Sequence, residues 1–216
     1  MEWIHYLSNS NIPFYIYKIK SGDAIIEACS YKLKKLAIIL HGTIYLSQIF
    51  SNQETIPISI LHKNNIIDLD NYLLYHQSYY KISAIKESYI MLISSNDLIN
   101  YQEINNRILY SLLINYKLTL YNENHIRYIL SHKSIKYRII QLLIILSTYF
   151  GKIDKDLVKI QLKIKIEDLA ILTGSNINIT HKILNILKSQ KILKKSHKTS
   201  FIISVTSLIN NIYLLN

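Results

Sequence analysis

The chain has 216 residues, half of them hydrophobic, and a formal net charge of +11, which excludes wholesale disorder and leaves room for one large domain or two small ones. Its single cysteine, Cys29, excludes a disulfide framework, a two-cysteine redox motif and an all-cysteine cluster site. No apolar run reaches the roughly 18 to 20 residues that span a bilayer, and Glu2 stands where a basic-then-apolar signal would begin, so the expectation is a soluble protein that stays where it is made.

From Ile12 to Ile93 short apolar runs alternate with breaks every 8 to 12 residues or so, the spacing of an antiparallel sandwich or barrel. Phe14 to Tyr17 is followed by Lys20-Ser21-Gly22-Asp23. Leu36 to Leu40 is followed by a break at His41-Gly42-Thr43 and then by Ile44-Tyr45-Leu46. Ile56 to Ile60 precedes Lys63-Asn64-Asn65, and Ile82 and Ala84 precede a further run from Tyr89 to Ile93. Asp97 then reads as the N-cap of a long helix reaching about Ser131. Ile108, Leu109, Leu112, Tyr116 and Leu120 recur there at three-and-four spacing. Such a helix runs about 50 Å, more than one face of a small barrel needs, so its seam predicts a dimer contact. The competing reading is a helix folded back on its own barrel.

His132 to Gly151 reads as a further helix with Ile135, Ile139, Leu142, Leu143 and Leu146 inward, stopped by Gly151. A basic loop, Lys152 to Lys159, follows. Next, Leu169 and Ala170 on a short helix precede Gly174 by five and four residues. Ile179, Ile183, Leu184 and Leu187 then recur at helical spacing. This is the helix-turn-helix pattern. Ala170 admits a close crossing, Gly174 takes the turn, and Ser175 or Asn176 caps the second helix. Lys188, Lys191, Lys194, Lys195, His197 and Lys198 follow, and Ile192-Leu193 and Phe201 to Ile203 bracket a polar turn, which predicts a winged hairpin whose lysines lie against phosphates. The charge agrees. Residues 1–110 carry eight Lys, one Arg and nine acids, net zero; residues 111–216 carry fourteen Lys, two Arg and five acids, net +11. A polyanion-binding module joined to a neutral one gives that asymmetry.

A neutral barrel, a long helix and a winged helix-turn-helix in this order resemble the Crp/Fnr transcription regulators. The resemblance rests on Ile19 to Ile26 and Leu36 to Leu46 in the barrel and on the helix-turn-helix itself. His132, Arg138-Ile139-Ile140-Gln141-Leu142-Leu143, Tyr149-Phe150-Gly151, Leu162-Lys163-Ile164 and Leu169-Ala170 are similar to the cyanobacterial-type global nitrogen regulator. It implies an α+β chain. Residues 1–96 would form a cyclic-nucleotide-binding-like β-jelly roll, 97–131 a dimerisation helix and 132–216 a winged helix-turn-helix domain. It further implies a homodimeric regulator, with double-stranded DNA and RNA polymerase as partners and no cofactor or metal. Candidate DNA contacts are Ser175, Asn176, Ile177, Asn178, Thr180, His181, Lys182, Lys195 and Lys198, on a scaffold of Leu169, Ala170, Gly174, Ile179 and Ile183. Ile, Lys, Asn and Tyr make up 103 of the 216 residues. Their shared A/T-rich codons fit an organelle or a reduced bacterium, and a red-algal plastid homologue, working in the stroma, fits both the bias and the absent transit peptide.

Several positions depart from the family. Ile177 stands where an arginine usually reads guanine, and Lys182 where a second arginine is frequent, leaving Asn178 and His181 as base readers. Asp68-Leu69 and Ser78 occupy the effector positions that need an acid and an arginine, which argues against cyclic AMP. Ser78 and Thr119 stand where 2-oxoglutarate needs arginines, and Arg127 is out of register, so the effector stays unassigned. Two other readings remain: a jelly roll whose basic tail binds nucleic acid without reading sequence, and a cupin-like metal enzyme using His41, His62 and His76.

Overall fold

In the computed structural model, which describes residues 2–28, 35–69, 78–100, 106–197 and 200–213, the alternating first half becomes an antiparallel sheet. Helix α1 (Glu2–Asn9) precedes β1 (Phe14–Ile19), β2 (Ala24–Ala28), β3 (Lys35–Phe50), β4 (Thr55–His62), β5 (Ile66–Asp68) and β6 (Ser78–Ser94). The sheet order is β1-β6-β3-β4, with β2 on β6 and β5 on β3. Side chains alternate across a strand, and both faces are buried. Ala37, Ile39, Ile90 and Leu92 join one core with Ile44, Leu61, Ile67 and Ile82. Their neighbours Ile38, Met91 and Ile93 join another with Trp3, Leu7 and Leu98. A fully buried isoleucine stabilises by about 1.5 to 3 kcal/mol, and this double burial is why the strands read as unbroken apolar runs.

The break expected at His41-Gly42-Thr43 is instead a bulge inside one strand. β3 runs through it, and its pairing with β6 slips between Ile39 and His41 and again around Thr43. Gly42 has φ +98°, and a Cβ there would lie 2.1 Å from Ser88 Oγ and 2.5 Å from the Glu87 carbonyl. Likewise the two runs at Ile82 and Tyr89 are one strand, β6.

Short α2 (Ser95–Asn100) follows, then α3 (Asn106–Ser131). The chain divides into two compact units, residues 1–126 and 127–216, and the division falls within α3. In the second unit α4 (Ile135–Phe150) buries Ile139, Ile140, Leu142, Leu143 and Leu146. The basic stretch expected as a loop is a hairpin of β7 (Gly151–Asp154) and β8 (Leu157–Ile160), so Gly151 opens a strand with extended backbone, φ −83°. Helices α5 (Ile166–Leu172) and α6 (Ile177–Ser189), strands β9 (Leu193–His197) and β10 (Ser200–Ser204) and helix α7 (Val205–Tyr213) complete it, with sheet order β7-β8-β10-β9. Among the described residues, no helix is long and apolar enough to cross a membrane.

Candidate nucleic-acid interface

The turn between α5 and α6 follows from Gly174. The Ser175 N–H donates to the Ala170 carbonyl at 2.9 Å and the Gly174 N–H to the Ile171 carbonyl at 3.1 Å. That double closure needs a left-handed residue, and Gly174 sits at φ +59°. At the start of α5, the Asp168 carboxylate accepts from the Lys165 N–H. At the start of α6 the cap is Asn176, whose Oδ1 accepts from the Ile179 N–H at 2.8 Å; Ser175 Oγ instead accepts from Thr180.

Leu169, Ala170, Ile183, Leu184 and Leu187 are buried. Ile177, Asn178, His181, Lys182, Asn185 and Ile186 are exposed along the opposite side of α6, the i, i+3, i+4, i+7 rows of one helix face. Two expected roles change. Thr180 is fully buried and cannot touch DNA; its side chain is part of the packing under the turn. Ile179, expected in the scaffold, is 37% exposed, because it falls at the edge of the buried stripe. Asn185, absent from the expected contacts, stands one turn past His181; an exposed asparagine carries no signal in the sequence.

Arg138, one of three arginines, braces this unit. Its Nε donates to the His132 carbonyl at 2.7 Å and its Nη1 to the Thr173 carbonyl at 3.2 Å. One planar fork thus ties the chain ahead of α4 to the residue that ends α5, which a lysine cannot do.

The surrounding charge is positive. Lys163, Lys165, Lys191 and Lys194 are exposed, and Lys195 and His197 fall in β9. Lys198 lies outside the described residues. Lys152 and Lys159 face each other in register across β7 and β8, beside a cleft of about 770 Å³ that Lys163 also lines. Like charges set opposite each other cost stability. Asp156 ties the β7–β8 turn to the start of α7: Oδ1 accepts from the Thr206 N–H and hydroxyl, and Oδ2 from Ser204 Oγ. Those hydrogen bonds hold its carboxyl below the ordinary aspartate range.

In the first unit, α3 splits the expected seam. Ile108 and Leu112 are partly buried and pack against the protein's own core. Leu109, Tyr116 and Leu120 are exposed, and Leu113, 60% exposed, joins them. The spacing 109, 113, 116, 120 alternates four and three, as in a helix-pair seam. Ile104, on the same expected helix, lies outside the described residues.

At the effector positions, Asp68 is exposed, Leu69 joins the core, and buried Ser78 accepts from Gln48 Nε2 at 3.0 Å. Buried Thr119 Oγ1 accepts from the Ile66 N–H at 2.9 Å. Beside it, Asn65 Oδ1 accepts from the His62 N–H, His62 Nδ1 and Asn122 Nδ2 at 2.9, 2.7 and 3.3 Å. His62 is thereby engaged, His41 lies beside the Tyr89 ring, and His76 and Cys29 fall outside the described contacts. Among the described residues no three His, Cys, Asp or Glu side chains gather to hold a metal.

An antiparallel roll, a long helix and a winged helix-turn-helix unit define the fold of the CRP/FNR transcription regulators. A cyclic nucleotide-binding domain-containing protein of Listeria monocytogenes matches with a TM-score of 0.72 at 17% identity, over 95% of this chain and 97% of that one. A CRP/FNR-family regulator of Thermus thermophilus matches with 0.65 at 14% identity, over 91% and 97%. The curated relative is ycf28 of Porphyra purpurea, provisionally named as an HTH-type transcriptional regulator, 26% identical over 197 residues, 91% of this chain and 81% of its own length. No protein-family model matches the chain.

Proposed function

We propose that this chain is a sequence-specific, double-stranded-DNA-binding transcription regulator that acts as a homodimer and is not an enzyme. One observation carries the reading: α6 presents Asn178, His181 and Lys182 together on an exposed face, on a scaffold closed beneath them, within a unit whose residues 132–216 carry +10. Lysines supply affinity through phosphates, and the asparagine and histidine read base edges. Leu109, Leu113, Tyr116 and Leu120 supply the dimer surface. RNA polymerase is the further partner that this class of regulator implies. The resemblance to the nitrogen regulator supports a nitrogen-responsive role, and the red-algal source of the Porphyra relative, with the bias towards residues that have A/T-rich codons, supports synthesis and work inside a plastid. Neither cyclic AMP nor 2-oxoglutarate has its charged partners at Asp68, Leu69, Ser78 and Thr119, so the effector is of another kind or none.

The test is anisotropy of the full chain on fragments it selects from its own genome, against shuffled duplexes of equal composition. A preference of about 10³ or more at physiological salt is expected. Equal affinity for both would leave a basic tail that binds nucleic acid without reading it.

A further inference from the structure

Along α6, Lys188, Asn185 and His181 form a chain of three side chains in contact. Lys188 Nζ lies 3.4 Å from Asn185 Oδ1. An ammonium only donates, so the Asn185 oxygen faces it and the Asn185 amide nitrogen faces the other way. That nitrogen lies 3.2 Å from His181 Nδ1. It too only donates, so in this contact Nδ1 is the accepting nitrogen and the ring proton is carried on Nε2. His62 shows the opposite arrangement, with Nδ1 facing the Asn65 oxygen and therefore carrying the proton.

We propose that Asn185, held by Lys188, is a positioning residue that presents His181 as an Nε2–H donor to a purine N7 in the major groove. This rests on α6 reading DNA. Cytosine N4 and the thymine methyl offer no acceptor, thymine offers only O4, and N7 belongs to purines alone, so His181 donating to N7 selects a purine on the strand it faces. The specificity lost at Ile177 is thus recovered from a pair two helix rows away.

Two measurements on the full chain test it. The first is the nitrogen-15 spectrum of histidine-labelled protein without DNA, at about pH 8, above the ordinary imidazole range, with His181→Ala to assign the signal. The Nε2–H tautomer is expected, and Asn185→Ala should bring in the Nδ1–H form. A wild-type ring protonated on Nδ1 overturns the proposal. The second replaces each purine of the selected site by its 7-deaza analogue. One replacement should weaken the wild type about tenfold, a single hydrogen bond's share, and should cost His181→Ala and Asn185→Ala little. A selected site indifferent to every replacement, or equally sensitive in all three proteins, overturns the proposal and leaves the regulator reading standing. Absence of any selected site overturns both.

Discussion

The proposed function gives Asn178 and Lys195 different work at the DNA. Asn178 is exposed on α6, and in that reading its amide would pair with adenine at both N6 and N7, whereas a wing lysine would meet a phosphate that every sequence presents. Asn178→Ala should therefore cost roughly 1 to 3 kcal/mol on the preferred site and little on random DNA, while Lys195→Ala should weaken both alike and lower the salt slope by about 0.9. A titration on the two duplexes at several salt concentrations separates them. Equal losses for Asn178→Ala would mean that it reads no base. Gly174 belongs to the same scale. At φ +59°, an added Cβ would sit 3.3 Å from Leu130 Cδ2 and from Arg138 Nη1. Gly174→Ala should destabilise by about 1 to 2 kcal/mol, read in urea unfolding. A neutral result would show that the turn tolerates a side chain.

At the scale of elements, α3 serves two surfaces at once. Ile108 and Leu112, with Ile126 and Ile129, turn inward, and Leu109, Leu113, Tyr116 and Leu120 turn out. Leu113→Glu lies on the outer seam, away from the inward stripe, so it should leave the fold intact and shift sedimentation from a dimer towards a monomer near 25.3 kDa. A dimer unaffected by that charge would place the contact elsewhere. Spacing alone cannot sort these residues, because leucines for the barrel and leucines for a partner share the same helical period. The helix-turn-helix is legible for a firmer reason. A small residue, then a glycine, then a renewed apolar period answer to steric demands few other folds make. The wing is legible from its paired apolar runs. The Gly42 bulge reads as a break because a glycine that lets a strand slip looks, in sequence, like one that ends it. Thr180 reads as a contact in the sequence because it lies among exposed polar candidates, and only the burial of its row on α6 corrects that. Helices α1 and α7 are amphipathic, but at eight and nine residues they span too few turns for that period to stand apart from the short apolar runs around them.

At the scale of the whole molecule, the charge and the chemistry fall on the same part of the chain. The first 110 residues are neutral and the remainder carries +11, and the α6 face that exposes Asn178, His181 and Lys182 lies in the charged part. A dimer built on α3 would bring two copies of α6 to DNA, so the site should be a two-fold repeat. Selection of bound duplexes from a random library by the full chain tests this most directly. The expected result is an enriched consensus of two inverted half-sites with centres about 10 bp apart, or a multiple of that helical turn, each half holding a purine and an adenine for His181 and Asn178. Recovery of sequences with no consensus, at affinities that depend on salt alone, would contradict it.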